Sequence, residues 1–299
     1  MPCGLQRTIG WPTEVTFRDH LIASRNADGG WGYAPGKHSR LEPTCLALLA
    51  LDGVIAAESA AGVLARWPTR GALYVDGDDL PVNYAFNGLA LLTAVSLGPA
   101  LADRARGVAA GLGAVKGVAL EPFAPLRQDG GLQAWPWMDG TFSWIEPTGW
   151  CLLGIKKWRG AQRDSGLDAR VVEAERLLLD RVCATGGWNY GNARVFDQAL
   201  PAYVPTTALA LLALQDRTEQ PLVRRSLEFL ERSAAREPSA LSLSLSLVAL
   251  HVFGRPVDEV RMKLAGRFEV AAAIGQNCGI ALGAYALESQ RHGCATFRL

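Results

Sequence analysis

Three aspartates fall within four consecutive positions, Asp76-Gly77-Asp78-Asp79, and two glutamates, Glu42 and Glu146, each open the tripeptide Glu-Pro-Thr. Carboxylates crowded together cannot all ionise, so one of them keeps its proton near neutral pH, and burial beside an apolar cavity strengthens the effect. That is the chemistry of a proton donor, with Asp78 as the acid and Asp76 and Asp79 tuning it. An Asp-Gly turn whose acids favour the positive end of a helix starting near Pro81 accounts for the same residues without catalysis. Glu42 and Glu146 divide in the same way. They are further candidate acids at the mouth of a cavity, or helix-start carboxylates favoured by the dipole, with Thr44 and Thr148 bonding locally.

Aromatic residues gather around these Pro-Thr sites, mostly in the segments that precede them: Trp31, Tyr33, Trp135, Trp137, Trp144, Trp150, Trp188, Tyr190 and Tyr203. Their π faces suit a pocket that stabilises a carbocation. Trp31 and Trp188 occupy equivalent places in a repeated phrase and also read as staples between neighbouring units. Trp135, Trp137, Phe142 and Trp144 are the better candidates for pocket walls, with Tyr84 and Trp188 beside them. His38, flanked by Lys37 and Arg40, is the one histidine that reads either as a contact for an anionic head group or as part of an ordinary solvated loop, because His20 and His251 fall within helical segments and His292 near the tail.

Several function classes are disfavoured. Lysine and arginine total 30 against 29 acidic residues, which leaves no basic excess for a phosphate backbone. Nucleic acid is therefore not expected as a partner. Cys3, Cys45, Cys151, Cys183, Cys278 and Cys294 are scattered without a Cys-x-x-Cys pair, which suits reduced, mostly buried thiols and gives a metal site no support. The N-terminus lacks the apolar stretch of a secretory signal, and no window approaches about 18 unbroken apolar residues. A soluble, cytoplasmic protein is expected, with peripheral membrane contact left open. Neither a Ser-His-Asp pattern nor a phosphate-cradling glycine loop is present.

The elements that must position these residues follow from a repeat. Gly29-Gly30-Trp31 leads to Glu42-Pro43-Thr44 and a Leu/Ala run, and Gly186-Gly187-Trp188 leads to Pro205-Thr206-Thr207 and another; Gly130-Gly131-Leu132 through Trp144 to Glu146-Pro147-Thr148 is a looser copy. Such a period means one supersecondary unit stacked on itself. Helical periodicity picks out amphipathic segments at 13–25, 54–66, 99–112, 167–183, 219–235 and 257–270. These alternate with nearly uncharged ones at 43–53, 82–96, 147–157, 205–215, 238–252 and 277–288. The alternation predicts an all-α fold, an α6/α6 toroid of six helical hairpins forming a single domain over 1–299, with every inner helix starting on one rim. Pro43, Pro147, Pro205 and Pro238 lie at or next to the first helical positions, and the long loops 67–81, 113–146 and 184–204 run into the same rim.

At Asp28-Gly29-Gly30-Trp31-Gly32, Gln128-Asp129-Gly130-Gly131 and Gly186-Gly187-Trp188 the chain resembles the superfamily of squalene/hopene cyclases and protein prenyltransferase β subunits, and its length suits a single-barrel member. Class II cyclases of that superfamily carry Asp-x-Asp-Asp, whose middle aspartate protonates an alkene or epoxide, and Asp76-Gly77-Asp78-Asp79 has that spelling. Aligned on the Leu-rich helices, the motif instead falls level with Glu42-Pro43-Thr44 and Glu146-Pro147-Thr148. Zinc-dependent prenyl transfer is disfavoured, since Asp78 stands where that pattern has Cys and Pro43 where its His is expected. The resemblance implies proton-initiated cyclisation of a hydrophobic isoprenoid in a central cavity, with no cofactor or metal, and Mg2+ only for a diphosphate substrate. The alternatives are a non-catalytic toroid that holds a lipid or a partner protein, a zinc-independent prenyltransferase-like enzyme, or a lyase or glycosidase on a similar helical scaffold.

Overall fold

The computed structural model describes residues 14–121, 128–161 and 165–299; Cys3 and the first residue of the 13–25 segment lie outside them. The chain is all-α. Its helices are α1 (Glu14–Ala23), α2 (Leu41–Ala50), α3 (Ala57–Ala65), α4 (Tyr84–Ser96), α5 (Ala102–Ala114), α6 (Ile145–Ala161), α7 (Asp168–Asp180), α8 (Val204–Ala213), α9 (Pro221–Ser233), α10 (Ala240–Val252), α11 (Asp258–Ala265), α12 (Phe268–Ala273), α13 (Asn277–Leu287) and α14 (Ser289–His292). Two small antiparallel hairpins interrupt the pattern, β1 (Thr69–Arg70) with β2 (Leu73–Tyr74), and β3 (Arg194–Val195) with β4 (Gln198–Ala199).

The Leu/Ala runs become α2, α4, α6, α8, α10 and α13, buried on nearly every residue because neighbours surround them on all sides. Each packs on the next, α2 on α4, α4 on α6, α6 on α8, α8 on α10 and α10 on α13, and α13 returns to α2. The amphipathic helices cover them: α5 lies on α4, α7 on α6, α9 on α8, α11 on α10, and α1 and α12 on α13. Tight spacing within the inner set needs glycine. A Cβ at Gly88 of α4 would stand 2.6 Å from the Cys151 amide nitrogen, and one at Gly154 of α6 would stand 2.5 Å from the Gly88 carbonyl oxygen.

The expected segment 257–270 divides into α11 and α12 at Gly266 and Arg267, and 99–112 opens with a 3-10 turn over Pro99–Leu101. Pro43 and Pro147 sit at the third helical position, still within the first turn, where an absent N–H breaks no helical bond. No helix among the described residues is long and apolar enough to cross a membrane.

What joins the layers is one hydrogen-bonding device used again and again. Trp31, Trp135 and Trp188 are fully buried, and their indole N–H groups donate to the carbonyls of Leu21 (2.7 Å), Leu112 (2.9 Å) and Leu178 (2.6 Å) on the preceding outer helices. Their backbone N–H groups donate to the hydroxyls of Thr44, Thr148 and Thr207 in the first turns of the following inner helices. A fourth copy is spelled differently: the Tyr74 amide donates to Asn87 Oδ1 at 2.8 Å, and Asn87 Nδ2 returns a bond to the Tyr74 carbonyl at 3.0 Å. The guanidinium groups of Arg25, Arg104 and Arg170 stand over Trp31, Tyr74 and Trp135 at 5.4, 5.5 and 4.8 Å. Gly187 is required beside the last staple, with φ +77° and space so short that a Cβ would meet the Thr207 hydroxyl at 2.6 Å.

Candidate functional site

Glu42 and Glu146 are the second residues of α2 and α6, so the repeat that builds the helices also sets the two carboxyls at matching places. Both retain some accessible surface although protein surrounds them closely. Burial raises the Glu42 pKa, the Tyr33 hydroxyl in polar contact with it acts the other way, and the charge of Asp76 adds to the rise. Burial, and after it the charge of Glu42, brings Glu146 up to about 7. Asp76 is also raised by burial, opposed by the Leu41 amide that donates to its Oδ1 at 2.7 Å and by the Arg40 guanidinium. Glu42 is thus the middle member of three carboxyl groups that all hold protons more tightly than an exposed acid.

The walls around Glu42 are fixed. The Asn277 amide donates to the Tyr33 carbonyl at 3.0 Å and Asn277 Nδ2 to the Gly32 carbonyl at 2.9 Å, which ties the Tyr33 loop to the start of α13. Cys278, the second residue of α13, is buried, and burial and Glu42 both raise its thiol pKa, so it stays a neutral thiol.

The acidic run does not act as a unit. Asp76 turns towards α2, whereas Asp78 and Asp79 are exposed, and the Asp78 carbonyl accepts from Arg70 Nη2 at 2.6 Å. The expected role of the aspartates at the start of α4 is also corrected, because Asn83 caps that helix by accepting from the Phe86 amide. Asp76 serves α2 instead.

Among the aromatic candidates, Trp135 and Trp188 are staples with no exposed face, which corrects their expected place as pocket walls. Tyr84 is buried and its hydroxyl donates to Asp139. Trp137, Phe142 and Trp144 keep partly open faces; Trp137 meets Phe86 edge-on at 6.4 Å, and Phe142 lies 4.6 Å from Trp144. Tyr190 and Tyr203, 5.3 Å apart, are exposed at the start of α8. Lys37 and His38 are exposed, while Arg40 Nη1 donates to the Asp76 carbonyl at 3.2 Å, so these three do not form one cationic cluster. Sequence reasoning gave Tyr33 no part beside an acid, although its place two residues after Trp31 was a signal.

Two clefts open between adjacent units at this end. One, of about 240 Å³, is lined by Asp28, Ser39, Val63, Arg66, Trp67 and Asp76 among others. The other, of about 430 Å³, is lined by Tyr190, Tyr203, Phe229, Arg236, Glu237 and Ser242 among others. Among the described residues no group of three His, Cys, Asp or Glu side chains is placed to hold a metal ion.

No known protein family profile matches the chain, and no curated protein matches it in sequence. Solved structures do match in fold. A protein from Actinoplanes is 17% identical with a TM-score of 0.57, over 93% of this chain and 97% of its own. A variant of the type II terpene cyclase MstE from Scytonema, in complex with its product merosterolic acid A, is 15% identical with a TM-score of 0.52, over 95% and 96%. An apo variant of the same cyclase is 16% identical with a TM-score of 0.50, over 89% and 78%. At such identities the likeness is one of fold, and the chain has a terpene-cyclase-like, all-α fold.

Proposed function

We propose that this protein is a class II terpene-cyclase-like enzyme: a single α6/α6 toroid over 1–299 that binds a hydrophobic isoprenoid in its central cavity and starts cyclisation by protonating it from Glu42. The observation that carries the reading is the pair of partly buried acids at the second positions of α2 and α6, both with raised pKa values. A neutral carboxylic acid in an apolar setting is the group needed to protonate an alkene. The proton of Glu42 adds to one alkene carbon, the π electrons form the new C–H bond, and the cation left on the neighbouring carbon is attacked by the next double bond. Loss of a proton at the end of the cascade gives a cyclic product of unchanged mass. Trp137, Phe142 and Trp144 offer faces for the passing positive charge.

Burial first, and then the charge of Glu42, raises Glu146, so ionising both carboxyls at once is disfavoured. The Scytonema cyclase carries a product in the same type of fold, which supports a hydrophobic small-molecule partner here.

The test is incubation of the purified protein with linear isoprenoids, free and diphosphorylated, followed by mass spectrometry of the extract. A cyclic product isobaric with its substrate, absent with Glu42→Gln, supports the reading. Bound but unaltered lipid contradicts it and favours a carrier.

A further inference from the structure

Two aromatic side chains lie below the start of the inner helices on faces that begin at the rim. Trp150 follows Glu146 by four residues on α6, so it lies one turn further down the same face. Tyr285 follows Cys278, the thiol that feels the charge of Glu42, by seven residues on α13 and lies two turns down its face. Both are almost fully buried, and both pack on Phe297, whose ring centroid is 6.3 Å from that of Trp150 and 5.1 Å from that of Tyr285. In the closed order α2, α4, α6, α8, α10, α13, the helices α6 and α13 stand opposite each other. A side chain that reaches both therefore lies on the axis of the ring, where Phe297 has no exposed surface. It belongs to the segment 293–299, which crosses the far ends of the inner helices. Lys157 Nζ, near the end of α6, donates to the carbonyls of Ala295 (2.7 Å) and Arg298. Gln215 Nε2, just beyond α8, donates to the Phe297 carbonyl at 2.8 Å, and Arg298 Nη1 donates at 3.2 Å to the carbonyl of Val252, the last residue of α10. The segment is thus bonded to the C-terminal ends of three inner helices, whereas Glu42 and Glu146 stand at N-terminal ends.

We propose that Phe297 is the floor of the substrate site and sets the length of isoprenoid that the protein takes. The proposal rests on the function proposed above, in which the isoprenoid lies along the axis below Glu42 and Glu146. One to two helical turns separate the level of the acids from that of Trp150 and Tyr285, about 5 to 11 Å. That height suits a short linear isoprenoid with its reacting end at the acids and its far end against the three rings. Phe297 does not touch the reacting carbons; it acts by filling the axis, so a longer chain has no space to extend into.

The experiment is native mass spectrometry of the purified protein after competition between geraniol, farnesol and geranylgeraniol, which reads bound length without needing turnover. The wild-type protein should hold the two shorter alcohols ahead of geranylgeraniol. Phe297→Ala removes the floor and leaves an apolar space of the kind that takes up an apolar ligand. It should raise the ratio of bound geranylgeraniol to farnesol by about tenfold or more. Phe297→Leu should move the ratio the same way by less, which keeps the test if the alanine variant does not fold, and Phe297→Trp should lower it. Loss of packing alone does not produce opposite shifts from smaller and larger side chains. A ratio that stays constant in Phe297→Leu and Phe297→Trp, or a uniform fall in all three alcohols, overturns the proposal, and so does a wild-type protein that holds none of them. Bound alcohols with the expected shifts but no cyclic product would uphold the floor and reject cyclisation, so the two failures read differently.

Discussion

Glu42 and Glu146 stand at the same helical position in two copies of one repeat, and the charge of the first helps hold the proton of the second. A repeat made for packing has thereby brought two carboxyls to one end of the molecule. Burial is the larger cause of both shifts, because it removes the water that would solvate the ionised forms.

Stability should record this directly. The Glu146 carboxyl has a folded pKa of about 7, above the ordinary glutamate value of about 4.3. Between those two values the folded state binds more protons than the unfolded one, so stability falls as pH rises through that window. Glu146→Gln removes the loss. The variant should melt above wild type at pH 8, by up to about 3 kcal/mol, and close to it at pH 4. Thermal unfolding across the pH range checks it, and a variant that is less stable at pH 8 contradicts it.

The aspartates separate cleanly from the glutamates. Asp78→Asn should leave cyclisation within about twofold of wild type, since the side chain is exposed, whereas Glu42→Gln should lower it by about 10³-fold or more. Activity of the wild-type protein should fall as pH rises through the raised pKa of Glu42, because the ionised acid has no proton to give. Product formation by the two variants and a pH profile decide the assignment.

Much of this architecture is legible before any coordinates. Uncharged Leu/Ala runs alternating with amphipathic ones specify which helices are enclosed, and Gly-Gly-Trp marks where each unit begins. The copy at Tyr74 is not legible as a repeat because tyrosine and asparagine replace tryptophan and threonine there, so the spacing persists while the spelling changes. Asp76, Asp78 and Asp79 looked like one cluster in sequence; the backbone near β2 turns Asp76 inward and leaves the other two in water. Trp135 looked like a pocket wall because its loop is irregular, yet its 13-residue separation from Thr148 is that of Trp31 from Thr44.

The staples should matter to stability more than to chemistry. Trp188→Phe leaves the Leu178 carbonyl without its buried donor, a loss of about 1 to 3 kcal/mol. Trp137→Phe, at a partly open position whose indole N–H donates to no carbonyl among the described residues, should unfold within about 1 kcal/mol of wild type while altering turnover or product distribution. Chemical denaturation and product analysis of both variants test the division, and equal destabilisation would argue against it.

The central claim is that a proton from Glu42 enters the product, and the most direct measurement is cyclisation in D2O. After equilibration in D2O, the wild-type protein should give a product carrying one deuterium at the carbon first protonated, and Glu42→Gln should give no product. A cyclic product without deuterium, or one still formed at the wild-type rate by Glu42→Gln, would contradict it.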